Sequence, residues 1–240
     1  MKKLFIIKIG TTFPDIAEHY GDFDTWTLRT LGPADAEISV IDAEHGEPLP
    51  RAKYCAGVII SGSHSMVTDN LPWSTKIEDW IPSLLDKKVP FFGICYGHQV
   101  LAQATGGEVG DHPLGKEIGT VKIQLLPEYA DDDLLSSLPQ HFLAHTSHKQ
   151  AILRLPPGAI RLASSSHEPN HIFRIGSCAW GVQFHPEYNC RIMRSYIRKQ
   201  AKDLESEGYN VSELIGGVRE TPFASHILKN FSRIVSKQLA

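Results

Sequence analysis

Phe91-Phe92-Gly93-Ile94-Cys95-Tyr96-Gly97-His98-Gln99 is the most informative segment of this 240-residue sequence. The apolar run at 89–94 predicts a strand, and residues 99–105 continue as a predicted helix that stops at Gly106-Gly107. A cysteine at the junction, with a glycine two positions before it and another two positions after it, is the pattern of a nucleophile elbow. So tight a turn leaves no room for side chains at the two glycine positions. The helix N-terminus then favours the thiolate form of Cys95.

Cysteine alone is weak evidence for catalysis, because most free cysteines are small buried hydrophobes. The flanking glycines at a strand–helix junction reverse that interpretation for Cys95. Cys55, Cys178 and Cys190 lack such surroundings, so we expect them to be buried and not catalytic. Because the four cysteines show no CxxC spacing, they predict neither a zinc site nor a disulfide framework. Reduced thiols in a cytoplasmic protein are expected.

Strand-like runs lie on both sides of this segment. They occupy 3–9, 37–41, 57–60 and 89–94 in the first part of the chain, and 120–126, 159–163, 171–175 and 180–184 in the second. The first set alternates with helical patterns, which predicts an α/β fold with a mostly parallel sheet covered by helices on both faces. The second set is separated by turn residues, which predicts extra antiparallel strands at one side of the sheet.

The tail of the chain reads as helix. Its apolar face, which we expect to pack on the rest of the protein and not to dock a partner, consists of Ile227, Leu228, Phe231, Ile234, Val235 and Leu239. Since no linker or repeat interrupts the sequence, we predict one domain over 1–240, with a core at about 3–200 and a helical extension at 201–240.

Composition excludes several classes of protein. With 42% hydrophobic residues, 21% charged residues and a net charge of −3, the chain has an ordinary globular composition and lacks a basic surplus for nucleic acid. No apolar run approaches the roughly 18 residues of a membrane span. The run after Met1-Lys2-Lys3 is too short for a signal peptide and is interpreted as a first strand.

A second chemical signal is Trp180-Gly181-Val182-Gln183-Phe184-His185-Pro186-Glu187. A predicted strand ends at His185, and Pro186 keeps the residue before it extended. Because residues i and i+2 of an extended chain point to the same side, Glu187 can bond one ring nitrogen of His185 and leave the other free as a base. A thiol at an elbow with an oriented base is the logic of a catalytic triad. Taken alone, His-Pro-Glu is as often a surface turn.

A third signal is Val58-Ile59-Ile60-Ser61-Gly62-Ser63-His64-Ser65, a buried strand that opens into a loop of small residues. In elbow enzymes the amide after the nucleophile, here Tyr96, is one donor to the oxyanion, and a neighbouring loop supplies the second. This loop could supply it through Ser63, although Ser-Gly-Ser is also a common turn.

Gly-Ile-Cys-Tyr-Gly-His-Gln followed by Phe-His-Pro-Glu resembles the class I, triad-type glutamine amidotransferase family. The closest likeness is to the glutaminase domain of GMP synthase and its stand-alone relatives, and it runs from about residue 3 to 200. The resemblance implies a flavodoxin-like three-layer sandwich. It also implies Cys95 as the nucleophile, His185 as the base and Glu187 as the carboxylate that orients the base.

The resemblance further implies residues around the substrate, but no metal and no cofactor. Ser63 and Tyr96 match the main-chain oxyanion donors, and the matched substrate-binding positions are Gly62, Gln99, Ser147, His148 and Lys149. The sequence departs from the family in two places. Gly62-Ser63-His64 stands where Gly-Gly-Pro or Asn-Gly-Pro is usual, and Lys149 stands where glycine is commoner.

The function implied is hydrolysis of the γ-carboxamide of glutamine through a Cys95 thioester, which releases glutamate and ammonia for a separate synthase. No ATP-pyrophosphatase domain follows Glu187, so a γ-glutamyl peptide or conjugate hydrolase that acts alone is the alternative. From other classes, a non-catalytic binding or regulatory protein and a redox or chaperone-like cysteine protein are also considered. The combination of Cys95, His185 and Glu187 argues against both.

Two other clusters have simpler explanations than metal binding. Asp131-Asp132-Asp133 predicts a solvated helix start, with an aspartate that caps the turn at Leu134-Leu135. His141, His145 and His148 would share one face only on a helix, and this region reads as strand and loop.

Overall fold

The protein is described by a computed structural model that covers residues 2–32 and 35–239. Its strands are β1 (Lys3–Lys8), β2 (Ile38–Asp42), β3 (Cys55–Ile60), β4 (Phe91–Ile94), β5 (Glu108–Asp111), β6 (Glu117–Leu125), β7 (His141–His148), β8 (Gln150–Arg154), β9 (Ile160–Ser164), β10 (Ile172–Ile175) and β11 (Ala179–Val182). Its helices are α1 (Pro14–Tyr20), α2 (Phe23–Leu31), α3 (Pro72–Asp86), α4 (Tyr96–Ala104), α5 (Cys190–Lys199), α6 (Ala201–Ser206), α7 (Val211–Gly216) and α8 (Pro222–Leu239). None of the helices in these ranges combines the length and hydrophobicity that a membrane crossing requires.

The main sheet has nine strands in the order β2-β1-β3-β4-β11-β10-β9-β6-β7. The first five strands pair in parallel, in the order of a flavodoxin-like doubly wound sheet with β11 in fifth place. The remaining pairs are antiparallel, so β6 and β10 run against the other strands of the sheet. The predictions of a mostly parallel sheet and of antiparallel strands added at one side are confirmed.

Helices cover both faces of the parallel strands. On β1, Leu4 and Ile6 belong to the core that includes side chains of α2 and α8, whereas Phe5 and Ile7 belong to the core that includes side chains of α3 and α4. Strand β3 is buried at every residue, which explains its unbroken apolar sequence. The predicted three-layer arrangement is confirmed.

Helix α8 closes one of these faces. Its apolar side is buried at Ile227, Leu228, Phe231 and Val235, partly buried at Ile234 and exposed at Leu239. The ring of Phe231 lies 5.4 Å from the ring of Phe92 on β4, measured between centroids. The tail therefore packs on the sheet, as its helical spacing predicts.

The second, two-stranded sheet pairs β5 with β8 in antiparallel fashion. Strand β5 has no counterpart among the predicted strands, because Val109 is its only buried residue and its sequence carries no alternating pattern. The small sheet matters for the site, since β8 directly follows the Ser147-His148-Lys149 segment.

Asp132 corrects one prediction from the sequence. Its carboxylate accepts a hydrogen bond from the Leu134 amide at 3.0 Å, so it caps the turn as expected. However, the side chain is buried, accepts the indole N–H of Trp180 at 3.1 Å and pairs with Arg174 at 3.0 Å. The prediction of a solvated helix start is wrong at this residue, because distant strands supply polar partners that enclose it.

Candidate active site

The three chemical signals of the sequence meet at one edge of the sheet. Strand β4 lies between β3 and β11, and all three run in parallel. Their carboxyl ends are followed by the Ser61–Ser63 loop, by Cys95 and by the segment that contains His185. The crevice at the carboxyl ends of parallel strands is the usual ligand site of such sheets.

The Cys95 turn has the strained geometry that its flanking glycines predict. Cys95 has φ +50° and ψ −95°, a conformation that side chains rarely adopt, and it immediately precedes α4. A Cβ atom on Gly93 would lie 2.2 Å from the carbonyl oxygen of Gly97, and one on Gly97 would lie 2.5 Å from the carbonyl oxygen of Ile60. Any side chain at either position would collide with the main chain.

His185 and Glu187 are buried and bonded to each other. The Nδ1 atom of His185 lies 2.7 Å from Oε1 of Glu187. The imidazole is stacked between Tyr188, at 4.1 Å between centroids, and Phe23, at 6.2 Å. Burial alone would lower the pKa of His185, but its interactions with Glu187 and Cys95 raise it to about 10. The ring is thus held in the form that stabilises a neighbouring thiolate.

The amides of Ser63 and Tyr96 are available as donors. Among the residues in the described ranges, neither amide donates a hydrogen bond to a protein acceptor. His64, which stands where proline is usual, contacts the Tyr196 hydroxyl through Nε2 at 3.2 Å and lies 4.4 Å from the Phe13 ring between centroids. The side chain of His64 therefore contributes contacts that proline would lack.

A cavity of about 230 Å³ joins these groups. Of the sequence-predicted residues, it is lined by Ser63, Cys95, Tyr96, Gln99, Ser147, His148, Lys149 and His185. Gly62 and Glu187 are not part of its wall and lie against His185 instead. A Cβ atom on Gly62 would come within 2.9 Å of the imidazole Cε1 atom, so this loop approaches the ring closely because it has no side chain there.

Several lining residues are absent from the sequence predictions. They are Phe13, Phe23, His64, Ser65, Met66, Lys116, Gln150, Tyr188, Tyr196 and Gln200. Most come from segments that carry no motif, and the fold brings them to the cavity. Lys149, which was predicted from its position in the substrate segment, is the one charged lysine of this wall that the sequence analysis identified.

Gln99 is tied into a chain of amides that ends at the nucleophile. Its Nε2 atom donates to the carbonyl oxygen of Gln150 at 2.7 Å and to Oε1 of Gln183 at 3.0 Å. The Nε2 atom of Gln183 in turn donates to the Cys95 sulfur at 3.5 Å. Gln183, which the sequence analysis missed, therefore contacts the sulfur directly. The sequence signal available for it is its place two residues before His185, on the same side of an extended chain.

His148 is anchored by a buried carboxylate behind the cavity wall. Its Nε2 atom lies 3.0 Å from Oε2 of Glu117, and its Nδ1 atom lies 2.9 Å from the carbonyl oxygen of Gln150. His171 approaches the same Glu117 oxygen at 3.1 Å. Burial alone would raise the pKa of Glu117, but the two imidazoles hold it well below its usual range. The Ser147–Lys149 wall is thus fixed from the protein interior.

The three histidines of the 141–148 region do not converge. They lie on the single strand β7, where His145 and His148 are three positions apart and face opposite sides. Within the described residues, the one group of side chains close enough to share a cation is Asp42, Glu44 and His45, which does not line the cavity.

The chain is similar in sequence to several proteins of known function. A GMP synthase from Aeropyrum pernix is 35% identical over 218 residues, which cover 88% of this chain and 40% of that protein. The chain therefore spans less than half the length of that synthase. A glutamine-hydrolysing GMP synthase subunit from Archaeoglobus fulgidus is 31% identical over 193 residues, which cover 75% of this chain and 93% of that protein. Gamma-glutamyl peptidase 5 from Arabidopsis thaliana is 29% identical over 199 residues, which cover 81% of this chain and 78% of that protein.

A solved structure has the same fold. The crystal structure of a glutamine amidotransferase from Thermotoga maritima superposes with a TM-score of 0.74 over 99% of both chains, at 21% sequence identity. The model of the family described as glutamine amidotransferase class-I matches residues 16–204, which include the elbow and the His-Pro-Glu segment. This chain belongs to the glutamine amidotransferase class-I family.

Proposed function

We propose that the protein hydrolyses γ-glutamyl amides through a covalent thioester on Cys95, with Cys95, His185 and Glu187 as the catalytic triad. The observation that carries the proposal is that Cys95, at a strained elbow, and His185, bonded to Glu187 at 2.7 Å, line one cavity. A nucleophile beside an oriented base is the arrangement that covalent acyl transfer requires.

In the first half of the reaction, the Cys95 thiolate attacks the side-chain carbonyl carbon of the substrate. The negative charge that develops on the carbonyl oxygen is stabilised by the amides of Ser63 and Tyr96. The intermediate collapses when His185 donates its proton to the departing nitrogen. Ammonia or an amine leaves, and a γ-glutamyl thioester remains on Cys95.

In the second half, His185 takes a proton from a water molecule, whose oxygen attacks the thioester carbonyl. The same two amides stabilise the second oxyanion. The C–S bond then breaks and Cys95 leaves as the thiolate, while His185 keeps the proton taken from water, so the starting charge state is restored and glutamate is released. Gly62, Gln99, Ser147, His148 and Lys149 serve to place the glutamyl part of the substrate in this scheme.

Glutamine is the first substrate that we propose, with its ammonia passed to a separate synthase. The similarity to the GMP synthase subunit from Archaeoglobus fulgidus, of whose length the chain spans 93%, supports this choice. A cytoplasmic location belongs to the same proposal, and the four free cysteines fit a reducing compartment.

Hydrolysis of γ-glutamyl peptides without a partner is the second candidate. It is favoured by the similarity to gamma-glutamyl peptidase 5, of whose length the chain spans 78%. In this case the leaving group is an amino acid or peptide amine instead of ammonia.

Glutamate release measured on the full chain, with no partner added, tests the proposal and separates the two candidates. We expect turnover of glutamine or of γ-glutamyl dipeptides, and we expect Cys95→Ala to abolish it. Cys190→Ala is the matched control, because that thiol lies outside the cavity and burial raises its pKa to about 11. Turnover that survives in Cys95→Ala, or wild-type protein that cleaves neither substrate class, would refute the proposal.

A further inference from the structure

Lys116 is a cation in the cavity wall with spare hydrogen-bonding capacity. It is half-buried, lies directly before β6 and lines the same cavity as Cys95. An ammonium group has three N–H donors. In the structure it donates to the side-chain oxygen of Gln200, and no carboxylate of the described residues lies within ion-pair distance of it. A partly buried charge without an ionic partner is energetically unfavourable. An anion bound beside the Lys116 ammonium would therefore be stabilised.

A second lysine, Lys149, lines the same cavity as Lys116. Glu117 on β6 is paired with His148 on β7, so Lys116 and Lys149 lie just beyond this pair on adjacent strands. The ammonium of Lys149 is exposed and lies 3.6 Å from the exposed carboxylate of Asp111. Like charges opposite each other on neighbouring strands destabilise the pair. An anion bound between them would remove that repulsion.

The other charges around Lys116 do not fill this role. Burial lowers the pKa of Lys116, and the charge of Lys149 lowers it further. The charges of Asp203 and Glu207 raise this pKa, but neither carboxylate forms an ion pair with Lys116. Moreover, within residues 2–32 and 35–239 no aspartate or glutamate lines the cavity. The wall next to the nucleophile therefore carries a local excess of positive charge.

We propose that Lys116 and Lys149 form a carboxylate-binding subsite of the catalytic cavity. This inference rests on the proposed function, because it takes the ligand to be a γ-glutamyl compound. Such compounds offer a carboxylate from two sources, the α-carboxylate of the glutamyl part and the carboxylate of an amino-acid leaving group. The chemistry is the same for both, a carboxylate that receives charge-assisted hydrogen bonds from ammonium groups.

Binding can be measured without turnover in the full chain that carries Cys95→Ala. The ligands for titration calorimetry are γ-glutamylglycine, the matched γ-glutamylglycinamide, whose leaving group has no carboxylate, and glutamine. We expect Lys116→Gln in this background to weaken binding of γ-glutamylglycine about 10-fold or more, the usual effect of losing a hydrogen bond between charged groups. Lys122→Gln is the control, since it removes the same charge from an exposed position on the same strand.

The pattern across ligands identifies the source of the carboxylate. Weakening confined to γ-glutamylglycine assigns the subsite to the leaving group, and equal weakening of all three ligands assigns it to the α-carboxylate. Unchanged affinity for every ligand in Lys116→Gln would overturn the subsite, as would the absence of millimolar binding to the Cys95→Ala chain. Failure of the proposed function gives a different result. In that case the wild-type protein releases no glutamate, whereas the Cys95→Ala chain still binds the γ-glutamyl ligands and Lys116→Gln still weakens that binding.

Discussion

His185 shows how single residues set the chemistry of the cavity. Its ring is enclosed by Phe23 and Tyr188, which would favour the neutral form, yet its pKa is raised to about 10 by Glu187 and Cys95. The carboxylate of Glu187 therefore does two things. It orients the ring through Nδ1. It also stabilises the positive charge of the protonated imidazole, and that charge in turn stabilises a thiolate at Cys95.

The first prediction compares the two partners. Glu187→Gln is expected to lower kcat about 10²- to 10⁴-fold, because the amide oxygen can still accept the Nδ1 hydrogen but no longer stabilises the imidazolium. His185→Ala is expected to lower kcat further, because it removes the imidazole that carries the proton in both halves of the reaction. Steady-state glutamate release at several pH values measures both. A larger loss in Glu187→Gln than in His185→Ala would contradict the assignment of base and orienting partner.

The junction of β4 and α4 is the element on which the site depends. Gly93 and Gly97 allow the first turn of α4 to pass over β4 and β3 at a distance that no Cβ atom would tolerate. Tyr96, whose amide makes no hydrogen bond to the backbone of the described residues, then begins α4 directly after Cys95. Close packing of the helix on the strand and placement of the nucleophile are thus one structural feature.

The second prediction tests this junction. Gly97→Ala is expected to reduce the free energy of unfolding by about 1–3 kcal/mol, because its methyl group would lie 2.5 Å from the Ile60 carbonyl oxygen and force the helix away from β3. Gly216→Ala on α7 is the matched control. A Cβ atom there meets nothing within 4 Å, so we expect no loss and a gain of up to about 1 kcal/mol. Urea unfolding of both variants checks this, and equal stability of Gly97→Ala and wild type would argue against a packing role.

For the whole molecule, the helical tail and the sheet share one core. Side chains of α8 belong to the same buried cluster as those of β1, β3 and β4. We therefore propose that residues 1–240 form a single domain, with the extension at 201–240 required to cover the core at about 3–200. Burial of Asp132 with Arg174 and Trp180 ties the antiparallel strands to the same unit.

The third prediction concerns the stability of the whole protein in acid. Burial lowers the pKa of His145, which is fully buried, to about 4, whereas the unfolded chain protonates this residue near pH 6.5. Between these values the unfolded state binds a proton that the folded state does not, so stability falls as the pH falls. The slope from this residue approaches about 1.4 kcal/mol per pH unit and levels off near the folded pKa.

His145→Gln should remove this part of the slope. The measurement is the free energy of unfolding from urea titrations between pH 4 and 7. His141→Gln serves as the control, because His141 is exposed on the same strand and its replacement should leave the slope unchanged. If the free energy of unfolding of His145→Gln fell with pH as steeply as that of the wild type, the assignment of a neutral His145 in the folded protein would be wrong.

Local sequence was sufficient for the elements and for the chemical groups. The glycines around Cys95 predict its turn because the constraint lies within a few residues, and the spacing of His185, Pro186 and Glu187 predicts their mutual contact for the same reason. The apolar face of α8 could likewise be predicted from the sequence, since its buried residues recur at helical spacing. Strand β5 and the environment of Asp132 were not, because neither carries a local pattern.

What required the tertiary structure is everything that depends on which strands become neighbours. The placement of β11 beside β4 brings His185 to Cys95, and the pairing of β6 with β7 brings Lys116 beside Lys149. Phe13 and Phe23, near the start of the chain, line the cavity together with Tyr196, which lies more than 170 residues later. Such contacts result from long-range packing of the whole core, in which many distant residues act together. Periodicity and spacing along the chain reveal which groups a residue can offer, but only the packed sheet determines which groups it meets.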